Sequence, residues 1–133
     1  MENQYEDEAQ TQKKIMIVDD DKNMYEMYEL KFQKEWFIVM VCVNWLDALT
    51  KVTDFKPDVI LLDVMMPQMD GFETLRAIKE LTTTIKSKII MFSNINTKKD
   101  IEKWYELWAD EYIVKANCTP KEIVNIVNLV LEK

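Results

Sequence analysis

Short runs of consecutive apolar residues alternate along this chain with longer stretches in which apolar residues return every three or four positions. The first pattern marks strands covered on both faces, the second marks amphipathic helices. Ile15-Met16-Ile17-Val18 is the first run. From Lys22 to about Lys34, Met24, Met27, Tyr28 and Phe32 then hold helical spacing, with Asp21 placed to cap the start. Trp36 to Val43 is apolar throughout and rich in valine, too short for a core helix, and reads as the second strand. Asn44 to Asp54 carries Leu46, Leu49 and Val52 at helical spacing. Val59 to Leu62, after Pro57-Asp58, reads as a third and central strand. Phe72, Leu75, Ile78 and Leu81 predict a third helix, which runs out at Thr82-Thr83-Thr84, and Lys88 to Phe92 predicts the fourth strand. Thr97 and Asp100 approximate a capping box for a helix through Trp108, and Glu111 to Val114 is a short fifth strand. Thr119-Pro120-Lys121-Glu122 combines an N-cap, a first-turn proline and an N3 glutamate, so the last helix should run from about Pro120 to Leu131.

Five strands alternating with five helices through short connections describe an α/β fold: a three-layer αβα sandwich around a five-stranded parallel sheet. The 133 residues suit one domain, expected over 13–133, behind an acidic tail over 1–12 that is expected to be disordered. Composition narrows the chemistry. Histidine is absent, which removes imidazole bases and His-ligated metals, and Cys42 and Cys118 have no pairing or metal-ligand spacing. A net charge of -7 with Arg76 as the only arginine argues against direct nucleic-acid binding. No apolar run approaches a membrane span and Met1 to Gln12 lacks the layout of a signal peptide, so a cytoplasmic protein without membrane attachment is expected.

In a parallel sheet the carboxyl ends of the strands share one edge, where such folds place their ligands. Here those ends present Asp19 and Asp20 from the first strand, Asp63 from the third, Ser93 from the fourth and Lys115 from the fifth. Clustered carboxylates repel, and the usual compensation is a hard cation such as Mg²⁺. Lysine adds a point charge for a phosphate and serine a hydrogen bond, so the set describes a phosphoryl-transfer site with a carboxylate nucleophile. Each residue also has a plainer role open to it. Asp63 could cap the turn before Pro67, Asp19 could cap the first helix, Ser93 could satisfy a loop amide, and Lys115 could be a solvated strand end.

With these four motifs in order, the Val18-Asp19-Asp20 pair, the Asp58 to Gly71 block, Ser93 and Lys115, the chain from Lys14 to Glu132 resembles the receiver domain of two-component response regulators. The resemblance implies a chemotaxis-receiver-like strand order of 2-1-3-4-5. It implies that Asp63 accepts a phosphoryl group from a sensor histidine kinase or phosphotransfer protein, and that Mg²⁺ is held by Asp19, Asp20, Asp63 and the backbone carbonyl of Met65. Lys115 would pair with the phosphoryl oxygens, Ser93 would turn toward them, and Tyr112 would stand at the switch aromatic, although ordinary edge packing is also open to it. A downstream protein would then read the Thr97 to Leu131 face. Such a protein is no enzyme beyond its own phosphorylation and dephosphorylation. With no output domain after Lys133, a stand-alone receiver is expected.

Several positions depart from the family pattern. Ala116 follows Lys115 where the family usually has a cis proline, so a trans bond and a shifted loop are expected. Trp45 and Trp108 stand where glycine is common, and their turns should be rebuilt. Met65 and Ile95 occupy the positions that influence phosphoryl lifetime, and neither can orient a water, so slow hydrolysis is expected. Asn94 is bulkier than the small residue usual after the hydroxyl. Ile101, Trp104, Tyr105, Leu107 and Trp108 leave the fourth helix apolar on more than one face, which suggests a partner or homodimer contact as readily as core packing. Two rivals remain: a receiver-like binding module without phosphotransfer, and a small Mg²⁺-dependent phosphatase using Asp19 in an Asp19-Asp20-Asp21 motif.

Overall fold

The computed structural model describes residues 11–63, 76–81, 86–94, 98–99, 102 and 109–133. The strands are β1 (Lys14–Val18), β2 (Ile38–Cys42), β3 (Val59–Leu62), β4 (Lys88–Ser93) and β5 (Glu111–Val114). They form one sheet of order β2-β1-β3-β4-β5, parallel at every pairing. Three helices are complete: α1 (Lys22–Lys34), α2 (Trp45–Phe55) and α3 (Pro120–Glu132). Residues 76–81 are helical within the span predicted for the third helix, so four of the five expected helices are found among the described residues. Of the span expected for the remaining one, only residues 98, 99 and 102 are described, and all three are helical.

Alternation along the strands sorts side chains to two cores, which is why the apolar runs are continuous rather than alternating with polar residues. Ile15, Ile17, Val59, Leu61, Ile90 and Phe92 face α1 and α3, meeting Tyr28, Phe32, Ile123 and Val127. Met16, Val18, Ile60, Leu62, Ile89 and Met91 face the opposite side and meet Trp45, Ala48, Val52 and Ile78. The two clusters are the interfaces of a three-layer sandwich.

Helix starts follow their caps. Asp21 accepts from the amides of Asn23 and Met24, and Asn44 accepts from Asp47 N at 2.7 Å. Thr119 and Glu122 complete a reciprocal capping box on α3. Trp45, expected to disturb its turn, is the first residue of α2 and is 1% exposed. Among the described residues, Trp36 takes a left-handed conformation, with φ 69° in the turn that ends α1. No helix among the described residues is long and apolar enough to cross a membrane.

Candidate functional site

The backbone ladder continues one residue past the strand ends and thereby sets two carboxylates side by side. Asp63 N donates to Val18 O at 3.0 Å, and Asp19 N donates to Cys42 O at 3.0 Å. Both aspartates therefore leave the sheet at the same level, Asp19 1% and Asp63 6% exposed. Asp20 follows and is exposed. Oxygen atoms of Asp19, Asp20 and Asp63 all lie within 4.8 Å of one another.

Lys115 comes from the far side of the sheet, at the end of β5. Its Nζ donates to Asp19 Oδ2 at 2.6 Å and to Asp63 Oδ2 at 3.3 Å, and it sits 5.2 Å from the centre of the Phe92 ring. The side chain is 8% exposed, so the bridge is made in a largely dry setting. Burial works against the Lys115 ammonium, but the hydrogen bond to Asp19 and the charge of Asp63 outweigh it and hold its pKa above the ordinary lysine value. Burial likewise raises the Asp19 carboxyl, against the opposing pull of the Lys115 hydrogen bond and the Asp21 amide. Among the described residues, three carboxylates facing one ammonium leave a formal excess of negative charge at a half-buried point. Such a charge is costly unless a cation completes it. Carboxylate oxygens are the ligands Mg²⁺ prefers, so the residues present fit that ion.

Ser93 ends β4 and is fully buried, and Tyr112 lies within β5, half-buried against the core that contains Trp45. The structure thus gathers Asp19, Asp20, Asp63 and Lys115 into contact range and places Ser93 at the end of the strand next to β3. Met65, Ile95, Trp104 and Trp108 lie outside the described residues. The Lys115–Ala116 bond is trans, since no peptide among the described residues is cis, and Lys115–Asn117 forms a 3-10 turn.

The opposite edge of the sheet shows what carboxylates do when they serve structure alone. Asp58 Oδ2 accepts from Lys14 N at 2.8 Å and Asp110 Oδ2 accepts from Ile89 N at 2.7 Å, each clipping one strand to its neighbour. No local sequence pattern marks these clips, apart from Pro57-Asp58 as a strand start.

Comparison with known proteins decides the family. The family model of the response regulator receiver domain matches residues 15–128. The chain belongs to that family. Protein PilG of Pseudomonas aeruginosa is 31% identical over 102 residues, which cover 77% of this chain and 76% of PilG. A receiver domain protein described as CheY-like, from Methanospirillum hungatei, superposes with a TM-score of 0.84 at 24% identity, covering 92% of this chain and 95% of its own, and bears on the fold alone. The DrrB receiver domain, solved in a BeF3-activated form, superposes with a TM-score of 0.81 at 30% identity, covering 92% of this chain and 100% of its own. The receiver domain described here is thus a module of two-component signalling.

Proposed function

We propose that this receiver takes a phosphoryl group onto Asp63 from a phosphohistidine on a sensor kinase or phosphotransfer protein, and that it signals through protein contacts. The single observation that carries the proposal is the Lys115 ammonium, held between Asp19 at 2.6 Å and Asp63 at 3.3 Å. In the transfer, an Asp63 carboxylate oxygen forms the new bond to phosphorus while the phosphorus–nitrogen bond of the donor breaks and the imidazole leaves with the electron pair. Lys115 would neutralise charge on the phosphoryl oxygens, and Ser93 would give a hydroxyl donor at the neighbouring strand end. Asp19, Asp20 and Asp63 would hold Mg²⁺, together with the Met65 carbonyl, and when bound the ion offsets the charge of carboxylate and phosphate. Tyr112, half-buried in β5, is the proposed aromatic relay toward the face that runs from Thr97 to Leu131.

The phosphatase alternative requires Asp19 as nucleophile, whose Oδ1 accepts from Asp21 N at 2.9 Å and whose Oδ2 accepts from Lys115 Nζ at 2.6 Å. The test is incubation with a small acyl phosphate and Mg²⁺ followed by intact mass. Wild type should gain one phosphoryl group and Asp63→Asn none. A wild type left unmodified would favour a binding module without phosphotransfer. Steady phosphate release that Asp19→Asn abolishes and Asp63→Asn spares would restore the phosphatase.

A further inference from the structure

The β4–β5 ladder ends at the pair Ser93 and Val114. Past it, Lys115–Asn117 forms a short 3-10 turn, and Val114 at its head offers no side-chain cap. The leading amides of any helical turn lack partners within the turn and must find them elsewhere. Here the partner comes from 22 residues away: Asn94 Oδ1 accepts from Ala116 N at 2.9 Å. The bond exists because residue 116 has an amide proton to give.

Asn94 directly follows Ser93, and Ala116 directly follows Lys115, so this one contact joins the neighbours of the proposed hydroxyl and ammonium groups. We propose that Asn94 is a positioning residue that binds the Ser93 and Lys115 loops into one unit and so presets both groups for transfer at Asp63, which rests on Asp63 being the acceptor. Lys115 must reach two carboxylates at once from a turn only three residues long, and a small rotation of that turn would break one contact. Asn94 is exposed and fills no core space, so its removal leaves the fold intact.

The experiment measures the rate of Asp63 phosphorylation by an acyl phosphate at saturating Mg²⁺, alongside hydrogen exchange at the Ala116 amide. Asn94→Ala should slow phosphorylation by about three- to ten-fold, leave the Mg²⁺ concentration for half-maximal rate unchanged, and speed exchange at Ala116. In an Ala116→Pro background, which lacks the donor, Asn94→Ala should have no further effect. An unchanged rate in Asn94→Ala, or an equal loss in the proline background, overturns the positioning role alone. A wild type that is never phosphorylated, with Ala116 exchange still governed by Asn94, overturns the acceptor assignment and the positioning role together.

Discussion

At the residue scale, side-chain identity pulls against local geometry at Trp36. Trp36 is 52% exposed and sits at φ 69°, where a residue with a Cβ is strained and glycine is not. Its amide donates to Gln33 O, and the Phe37 amide closes back on Phe32 O, the arrangement of a helix end that favours glycine. Trp36→Gly should therefore stabilise the protein by about 0.5–1 kcal/mol, after the extra entropy glycine brings to the unfolded chain, read as a higher Tm. A lower Tm would mean that the exposed indole makes contacts worth more than the strain. Met65 matters for a different reason. Neither it nor Ile95 carries a group that could orient an attacking water, so the phosphoryl group on Asp63 should persist for minutes or longer, and a half-life of seconds would refute this.

At the scale of elements, most strand and helix boundaries were legible because each rests on neighbours in sequence, although the second strand, expected over Trp36 to Val43, spans only Ile38–Cys42. The run Val59 to Leu62 is strand from end to end, and Thr119 begins α3 as its capping pattern required. What sequence hid were contacts made across the fold. Asp58 with Lys14, Asp110 with Ile89, and Asn94 with Ala116 are separated by 44, 21 and 22 residues, and no local pattern announces them. Trp36 was hidden differently, since it continued an apolar run and so looked like strand. The α3 cap offers a direct check. Thr119→Ala should cost about 1 kcal/mol of stability. Glu122 lies below its usual 4.5, through hydrogen bonds with Thr119, backbone first. A lowered folded value means stability that is present above the unfolded pKa and lost as pH falls through the folded one. Glu122→Gln should therefore lower Tm at neutral pH, and the difference should shrink as pH falls through the folded Glu122 value, whereas a pH-independent effect would exclude the charged cap as its cause.

At the scale of the molecule, the formal charge of -7 is concentrated most expensively where Asp19, Asp20 and Asp63 meet. Most of the site was legible because each member ends a strand, and parallel order brings strand ends to one edge. The precise pairing of Lys115 with both carboxylates was not, because it depends on the turn after β5. Mg²⁺ should stabilise the folded state by about 1.4 kcal/mol at ten times its dissociation constant, and removal by a chelator should reverse the gain. Asp63→Asn should raise Tm in the absence of Mg²⁺, by removing one of the crowded charges, and should shrink the response to the ion. Equal Mg²⁺ responses in wild type and Asp63→Asn would place the ion elsewhere.

The central claim is that Asp63 is the acceptor, and borohydride trapping tests it most directly. Borohydride reduces an acyl phosphate to the alcohol, so after treatment with phosphodonor and Mg²⁺ the modified aspartate becomes homoserine and peptide mapping locates it. Homoserine at position 63, absent when the phosphodonor is omitted, is the expected result. Homoserine at 19 or 20, or none at all from protein that has gained phosphate, would contradict it.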